Sequence, residues 1–364
     1  MIQLDQLLAD LADLVGVESP SHDLQALDRC AEVLSGIVER RLGSAPELIA
    51  TSAGPIVHWR AGGEPKVLIL GHHDTVFPMG TLAGRPFAVA DGRATGPGVF
   101  DMKAGIVQAV HAVASLADRS GIEILMTPDE EVGSDASRAL LETRAAACGR
   151  VLVLEPSADG GALKTARKGV GTFEVVVHGK ASHAGLEPEK GINSLVAAAE
   201  LIGAIATFGD PALATTVTPT MATSGTAENV VPAETRVRVD VRIEEPAEEA
   251  RLDRAMSELA STATSVAGAT VEILGGINRP PMHSSASATL FPLAAAAAAA
   301  VGITDIRGVG VGGGSDGNFT AALGIPTLDG LGAVGGGAHA DHEFVLVDTM
   351  VQRAELLAEL IRRL

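Results

Sequence analysis

Three short runs constrain this chain most: KVLILG (66–71), IEILMT (122–127) and RVLVLE (150–155). Each is apolar almost without interruption and is bounded by Gly, Pro or charge. A strand with one wet face alternates polar and apolar residues. A continuous apolar run is instead a strand covered on both faces, as in a parallel sheet. Between the first two runs lies helical spacing: Ile106, Val107, Val110, Val113 and Leu116. Strand alternating with helix predicts an open α/β sheet with helices on both faces. Aromatic residues are only 2% of the chain and Tyr is absent, so the core is expected to be aliphatic.

From about Lys168 the pattern changes. Phe173, Val175 and Val177 alternate with Thr172, Glu174 and other residues. Val237, Val239, Val241 and Ile243 alternate with Arg236, Arg238, Asp240 and Arg242. Clean alternation predicts antiparallel strands with one buried face. Helical patterns fill 190–206 and 247–266, and further strands are expected at 215–223 and 269–274. The resulting order is βαββαβ. After Arg279 the chain returns to Gly-rich turns, apolar runs and a final helix. The predicted organisation is an α/β domain over 1–167 and 280–364, interrupted by a smaller α+β domain over 168–279.

Charge excludes several partners. There are 27 basic and 45 acidic residues, a net charge of −18. A chain so acidic lacks the positive surface that nucleic acid or anionic membranes require. Asp5 and Asp10 stand where a signal peptide would be basic. Leu4, Leu7, Leu8, Leu11 and Leu14 follow helical spacing instead. The Ala-rich stretch at 293–301 is too short to span a bilayer and reads as a packed helix. Two cysteines, Cys30 and Cys148, make no disulfide framework and fit a reducing, cytoplasmic compartment.

Ligands of open α/β sheets bind at the carboxyl ends of the strands. The first run is followed by His72, His73 and Asp74, and the second by Asp129, Glu130 and Glu131. The third run ends at Glu155. Asp101 stands in the loop before the next helix, and HADHE (339–343) comes after a Gly-rich loop. Any one of these residues reads equally well as loop charge or a helix cap. Five together at strand ends do not. Imidazole and carboxylate without Cys suit a hard-to-borderline divalent metal, zinc above all. One His and two carboxylates would leave a position open for water. A bridging carboxylate would allow two metals.

The motifs GHHDTV (71–76), GPGVFDMKAG (96–105), PDEEVGS (128–134), LEPS (154–157), GKASHAG (179–185), ENVVP (228–232), GGGSDG (312–317) and HADHE occur in this order. Together they resemble the dizinc aminoacylase and glutamate carboxypeptidase family of metallopeptidases. The resemblance implies a zinc-exopeptidase-like open mixed sheet with a lid and dimerisation domain, hence a homodimer. It implies two Zn2+ per subunit, with Co2+ or Mn2+ as acceptable substitutes. His72 and Glu155 would bind one ion, Glu131 and His339 the other, and Asp101 both. Asp74 would orient His72, and Glu130 would act as general base and acid. His183 would stabilise the oxyanion, in its own or a partner subunit. Asn229, Arg242 and Arg279 would hold the substrate, an N-acyl amino acid or short peptide with a free carboxylate. Arg242 also fits the wet face of an alternating strand.

Two other patterns share the Gly-rich stretch. Gly308 to Gly313 fits a dinucleotide fingerprint, but too little chain remains after it. Ser315, Asp329 and His339 fit the order of a serine-hydrolase triad, leaving the four acidic residues unexplained. The glycine loop, with Gly314 and Ser315, is better suited to cradle an anionic substrate end with main-chain N–H groups. The leading expectation is a glutamate carboxypeptidase. An aminoacylase is the alternative, then a non-catalytic metal-binding protein and a serine hydrolase.

Overall fold

The structure is a computed structural model and describes residues 2–261 and 264–364. The chain divides into a large unit, Met1–Arg167 with Met282–Val311 and Ser315–Leu364, and a small unit, Lys168–Pro281 with Gly312–Gly314. Pro280 and Pro281 thus fall in the small unit, beyond the boundary expected at 279, and so does part of the glycine loop.

The large unit holds a six-stranded sheet. Its order is Glu47–Thr51, Gly54–Arg60, Ile122–Thr127, Val67–His72, Val151–Val153, Thr327–Leu328. The last four strands pair in parallel and the first two join antiparallel, so the sheet is mixed. The continuous apolar runs have a simple cause. Val67 and Ile69 pack into one core with Ile106, Val110 and Leu357, while Leu68 and Leu70 pack into another with Leu141, Ala145 and Phe319. Both faces are covered by helices, so every position of the run is buried.

The third run is strand only over Val151–Val153. Leu154 still donates its N–H to the Leu70 carbonyl at 2.8 Å, and Glu155 lies just past the strand end. The N-terminal helix runs Leu4–Val15, and the Ala-rich stretch is the helix Leu290–Ala300 with Ala294, Ala297 and Ala298 buried. No helix among the described residues is long and apolar enough to cross a membrane.

In the small unit four antiparallel strands run in the order Thr216–Ser224, Glu234–Ile243, Gly169–His178, Thr270–Arg279. Helices Ser194–Ile205 and Ala247–Ala260 complete the βαββαβ order. Phe173, Val175, Val237, Val239 and Val241 form one core with Leu201, Leu252 and Met256. Their alternating neighbours form the other face of the sheet. The second helix stops at Ala260, short of the expected 266, and residues 262 and 263 of that expectation lie outside the described residues. The last strand continues five residues beyond 274, through Gly275 and Gly276. Gly275 has φ +83°, and a Cβ there would strike the Thr172 carbonyl oxygen, so only glycine lets the pairing continue.

Candidate metal centre

His72 is the last residue of the Val67–His72 strand and is buried. Its Nδ1 lies 3.0 Å from the Asp74 carbonyl and 3.3 Å from the Asp74 carboxylate. A proton on Nδ1 is therefore satisfied, and the Nε2 lone pair is left for another partner. Nε2 faces Asp101 Oδ1 at 3.3 Å, Glu155 Oε1 at 3.6 Å and Glu130 Oε2 at 4.0 Å.

The second imidazole comes from the far end of the sequence. His339 Nε2 lies 3.1 Å from Glu131 Oε1 and 3.4 Å from Asp101 Oδ2. Its backbone has φ +63°, a conformation few non-glycine residues adopt. Asp101 thus turns one oxygen to each imidazole. It reaches this place from the loop before the helix Ala104–Ala114. Two overlapping groups of close donor atoms result, His72 with Glu130 and Glu155, and His72 with Asp101 and Glu131.

The carboxylates of this cluster act strongly on its imidazoles. Burial works against a charged His72, yet Asp101, Asp74 and Glu155 drive its pKa well above the usual value. Asp101 and Glu131 push His339 up to about 10. Burial, with the negative charge of Asp101 adding to it, raises Glu131 against the pull of its histidine neighbours. Four carboxylates share a partly dry space with two imidazoles, a donor set of nitrogen and oxygen that fits divalent cations.

Asp74 has a second task that its place next to the histidines did not reveal. Its two oxygens accept the main-chain N–H groups of Glu130 and Glu131, each at 3.2 Å, and Ser21 donates to it at 2.7 Å. One carboxylate thus sets both His72 and the short turn Glu130–Val132. Two further residues escaped the sequence reading. Asp316 accepts from Thr127 at 3.0 Å and from Ser134, fixing the strand end and loop around the Glu pair. Arg167, fully buried, pairs with Asp329 at 2.6 Å and stands 3.4 Å from Glu155 Oε2. No periodicity or spacing marks either one.

The expected small-unit residues are arranged differently. His183 is exposed, and its Nδ1 accepts the N–H groups of Gly185 and Leu186, both at 3.1 Å. With Nδ1 accepting, Nε2 is the ring nitrogen left to donate. Asn229 lies beside it, its carbonyl accepting Ala184 N–H at 2.9 Å. The Arg242 guanidinium makes two bonds to Asp240 on its own strand, at 3.0 and 2.8 Å, as the wet-face reading requires. Arg279 is buried, and its stem packs where a Gly314 side chain would begin.

The Ser315 side chain is engaged inside the protein. It is fully buried, and its hydroxyl donates to Asp329 at 2.6 Å. The serine triad fails with it, because His339 sits with Glu131 and Asp101. The dinucleotide pattern fails too: Gly308–Val311 is a strand alongside Leu163–Arg167, and Asp329 is committed to Arg167.

Known proteins resemble this chain over most of its length. Residues 68–363 match the family described as Peptidase family M20/M25/M40. Carboxypeptidase G2 of Pseudomonas sp. (strain RS-16) is 30% identical, covering 98% of this chain and 88% of that protein. Succinyl-diaminopimelate desuccinylase of Ruegeria pomeroyi is 28% identical, over 84% of this chain and 85% of its own. The fold is that of the M20 family metallo-carboxypeptidase Sso-CP2 from Sulfolobus solfataricus, with TM-score 0.81, 17% identity and 98% of each chain covered. With its fold and most of its length matched in this way, the chain belongs to peptidase family M20/M25/M40 and is a metallopeptidase or amidohydrolase.

Proposed function

We propose that this protein hydrolyses the amide bond of an N-acyl amino acid or short peptide ending in a free carboxylate, as a glutamate carboxypeptidase does. The observation that carries the reading is Asp101, whose two oxygens face the two imidazoles at 3.3 and 3.4 Å. His72 and Glu155 would hold one ion and Glu131 and His339 the other, with Asp101 available to both. All five donors are N or O, so Zn2+ fits, and Co2+ or Mn2+ can replace it. Bound there, two divalent ions acidify a water and polarise the scissile carbonyl.

Glu130 takes the proton of the attacking water and delivers it to the leaving amine. Its neighbour Glu131 is fixed against His339, so the two adjacent carboxylates divide the work. His183 donates its Nε2–H to the developing oxyanion, from the same chain or from a second copy. Asn229 and the Arg279 guanidinium hold the substrate, the latter as a planar fork matched to a carboxylate. Gly314 offers its main chain to the same anionic end. The small unit serves as the lid and dimerisation domain. Its Thr216–Ser224 strand pairs on one side only among the described residues, leaving an edge for a second copy. Free, buried Cys30 and Cys148 support a reducing compartment, the cytoplasm.

The similarity to a desuccinylase favours a second reading, a deacylase of N-acyl amino acids. Amine release from an N-acyl-glutamate and from the same acyl group on a neutral amino acid separates the two. Chelator-sensitive turnover of the glutamate compound alone supports the carboxypeptidase. Equal turnover of both supports the deacylase. Turnover by metal-free protein overturns the mechanism.

A further inference from the structure

The loop that delivers Asp101 has no regular structure of its own at the point that matters. Asp101 and Met102 have non-helical backbone angles, and Gly98 is left-handed at φ +71°. Such a loop leaves main-chain N–H groups pointing inward with no ladder to receive them, and buried N–H groups must find acceptors. Here one side chain takes three. The Glu343 carboxylate accepts Gly98 N–H on Oε2, and Phe100 and Asp101 N–H on Oε1, each at 2.9 Å.

Glu343 is fully buried. The sheet register explains how it arrives there. Phe344–Leu346 pairs antiparallel with Arg93–Thr95, Phe344 opposite Thr95, so the residue before Phe344 meets the chain just as it leaves that strand for the Asp101 loop. The same C-terminal segment presents His339, four residues earlier. One stretch therefore supplies the second imidazole and shapes the loop of the carboxylate that faces it.

We propose that Glu343 is a positioning residue: its carboxylate gathers the main-chain N–H groups of residues 98, 100 and 101 and so fixes Asp101 between the two metals before they bind. Its part is played through Asp101, since its carboxylate is taken up by these N–H groups. The inference rests on the two-metal reading of the site. Supporting partners of metal ligands typically change affinity or activity by about 10–100-fold when altered. A glutamine at this place keeps one carbonyl oxygen but turns an NH2 toward a donor, so at least one of the three bonds is lost.

The test is metal binding to Glu343→Gln, measured by chelator competition and by the visible spectrum of the Co2+ protein. The expected result is two ions per chain on the unaltered protein, and at least about tenfold weaker binding in the variant with changed Co2+ bands. Ile37→Val, a change in the buried face of the helix Leu24–Leu42, which carries none of the expected ligands, serves as a destabilised control and should leave the Co2+ bands as they are. Two ions on the unaltered protein and unchanged affinity and spectrum in Glu343→Gln overturn the inference alone. Fewer than two ions on the unaltered protein overturn the two-metal reading and the inference with it. Should Glu343→Gln not fold, hydrogen exchange on the unaltered, metal-free protein decides. Amides of Gly98, Phe100 and Asp101 protected like those of the central strands support a preformed loop, and exchange as fast as exposed loops overturns it.

Discussion

Around Asp10 the large unit gathers two arginines and a histidine; around Asp101 it gathers three more carboxylates and two histidines. Arg40 and Arg41 reach Asp10 at 2.7 and 2.6 Å, and His111 lies 2.7 Å from it. That buried carboxylate is supplied with cations by its own chain. The Asp101 cluster is met differently: its carboxylates face two imidazoles, Arg167 is 3.4 Å from Glu155 but is shared with Asp329, and partly buried Lys164 feels Glu155 and Asp101 through space. Burying a carboxylate is costly unless something positive meets it. The first cluster meets that cost internally and is structural. The second meets it mainly with imidazoles, which are themselves metal ligands, and that is what sets it apart as a candidate metal site among the many acidic residues of a chain with net charge −18.

The sharpest way to test this contrast is within the second cluster. Glu130→Gln removes a negative charge and a proton carrier together, yet leaves the five expected ligands in place. The variant should keep its metal content and lose turnover by about 10²–10⁴-fold, the range for a general acid–base group. Metal analysis beside kcat reads both. Near-normal turnover with metal retained would remove Glu130 from the chemistry.

The first cluster should respond to acid rather than in turnover. Burial alone would raise the Asp10 carboxyl, but bonds from His111, Arg41 and Arg40 hold it well below the usual carboxylate range. Because its folded value lies below its unfolded one, its stabilisation is complete above about pH 4 and is lost as pH falls toward the folded value. Asp10→Asn should lower stability near pH 7 by about 2 kcal/mol, the scale of hydrogen bonds to charged groups. It should flatten the stability profile between about pH 4 and 2 and leave kcat unchanged. Denaturant melts across pH, beside kcat, decide this. A profile as steep as that of the unaltered protein would show that other carboxylates govern acid unfolding.

The two clusters also differ in how far the sequence exposed them. His72, Glu130, Glu131 and Glu155 were legible because strand ends are local features: a continuous apolar run stops, and the next residues lie at the sheet edge. The alternation at 172–177 and 236–243 exposed the small unit for the same reason. The supports were not legible. Asp74 holds Glu130 across 56 positions, and Ser134 meets Asp316 across 182. No local period records such a pairing. The strand expected at 269–274 runs on to Arg279, because the close approach of the Thr172 carbonyl to Gly275 is a contact across strands that no local pattern records.

The smallest expected effect carries the contrast into the small unit. Arg242 has its own acid, Asp240, and both side chains are about a third exposed, at 31% and 35%. An exposed pair of this kind is worth about 0–1 kcal/mol, because water solvates both ends nearly as well as they solvate each other. A guanidinium already holding a carboxylate must release it before it can hold a substrate's. Arg242→Gln should therefore change KM and kcat less than about twofold, within what loss of an exposed pair accounts for. Arg279→Gln removes a buried planar fork. It should raise KM for a substrate with a free carboxylate more than for its amide, and leave kcat less affected. Steady-state kinetics on the acid and amide pair reads both variants. A large KM rise in Arg242→Gln, selective for the acid, would mean that the Asp240 pairing yields to substrate and that local charge balance does not separate structure from function in this unit.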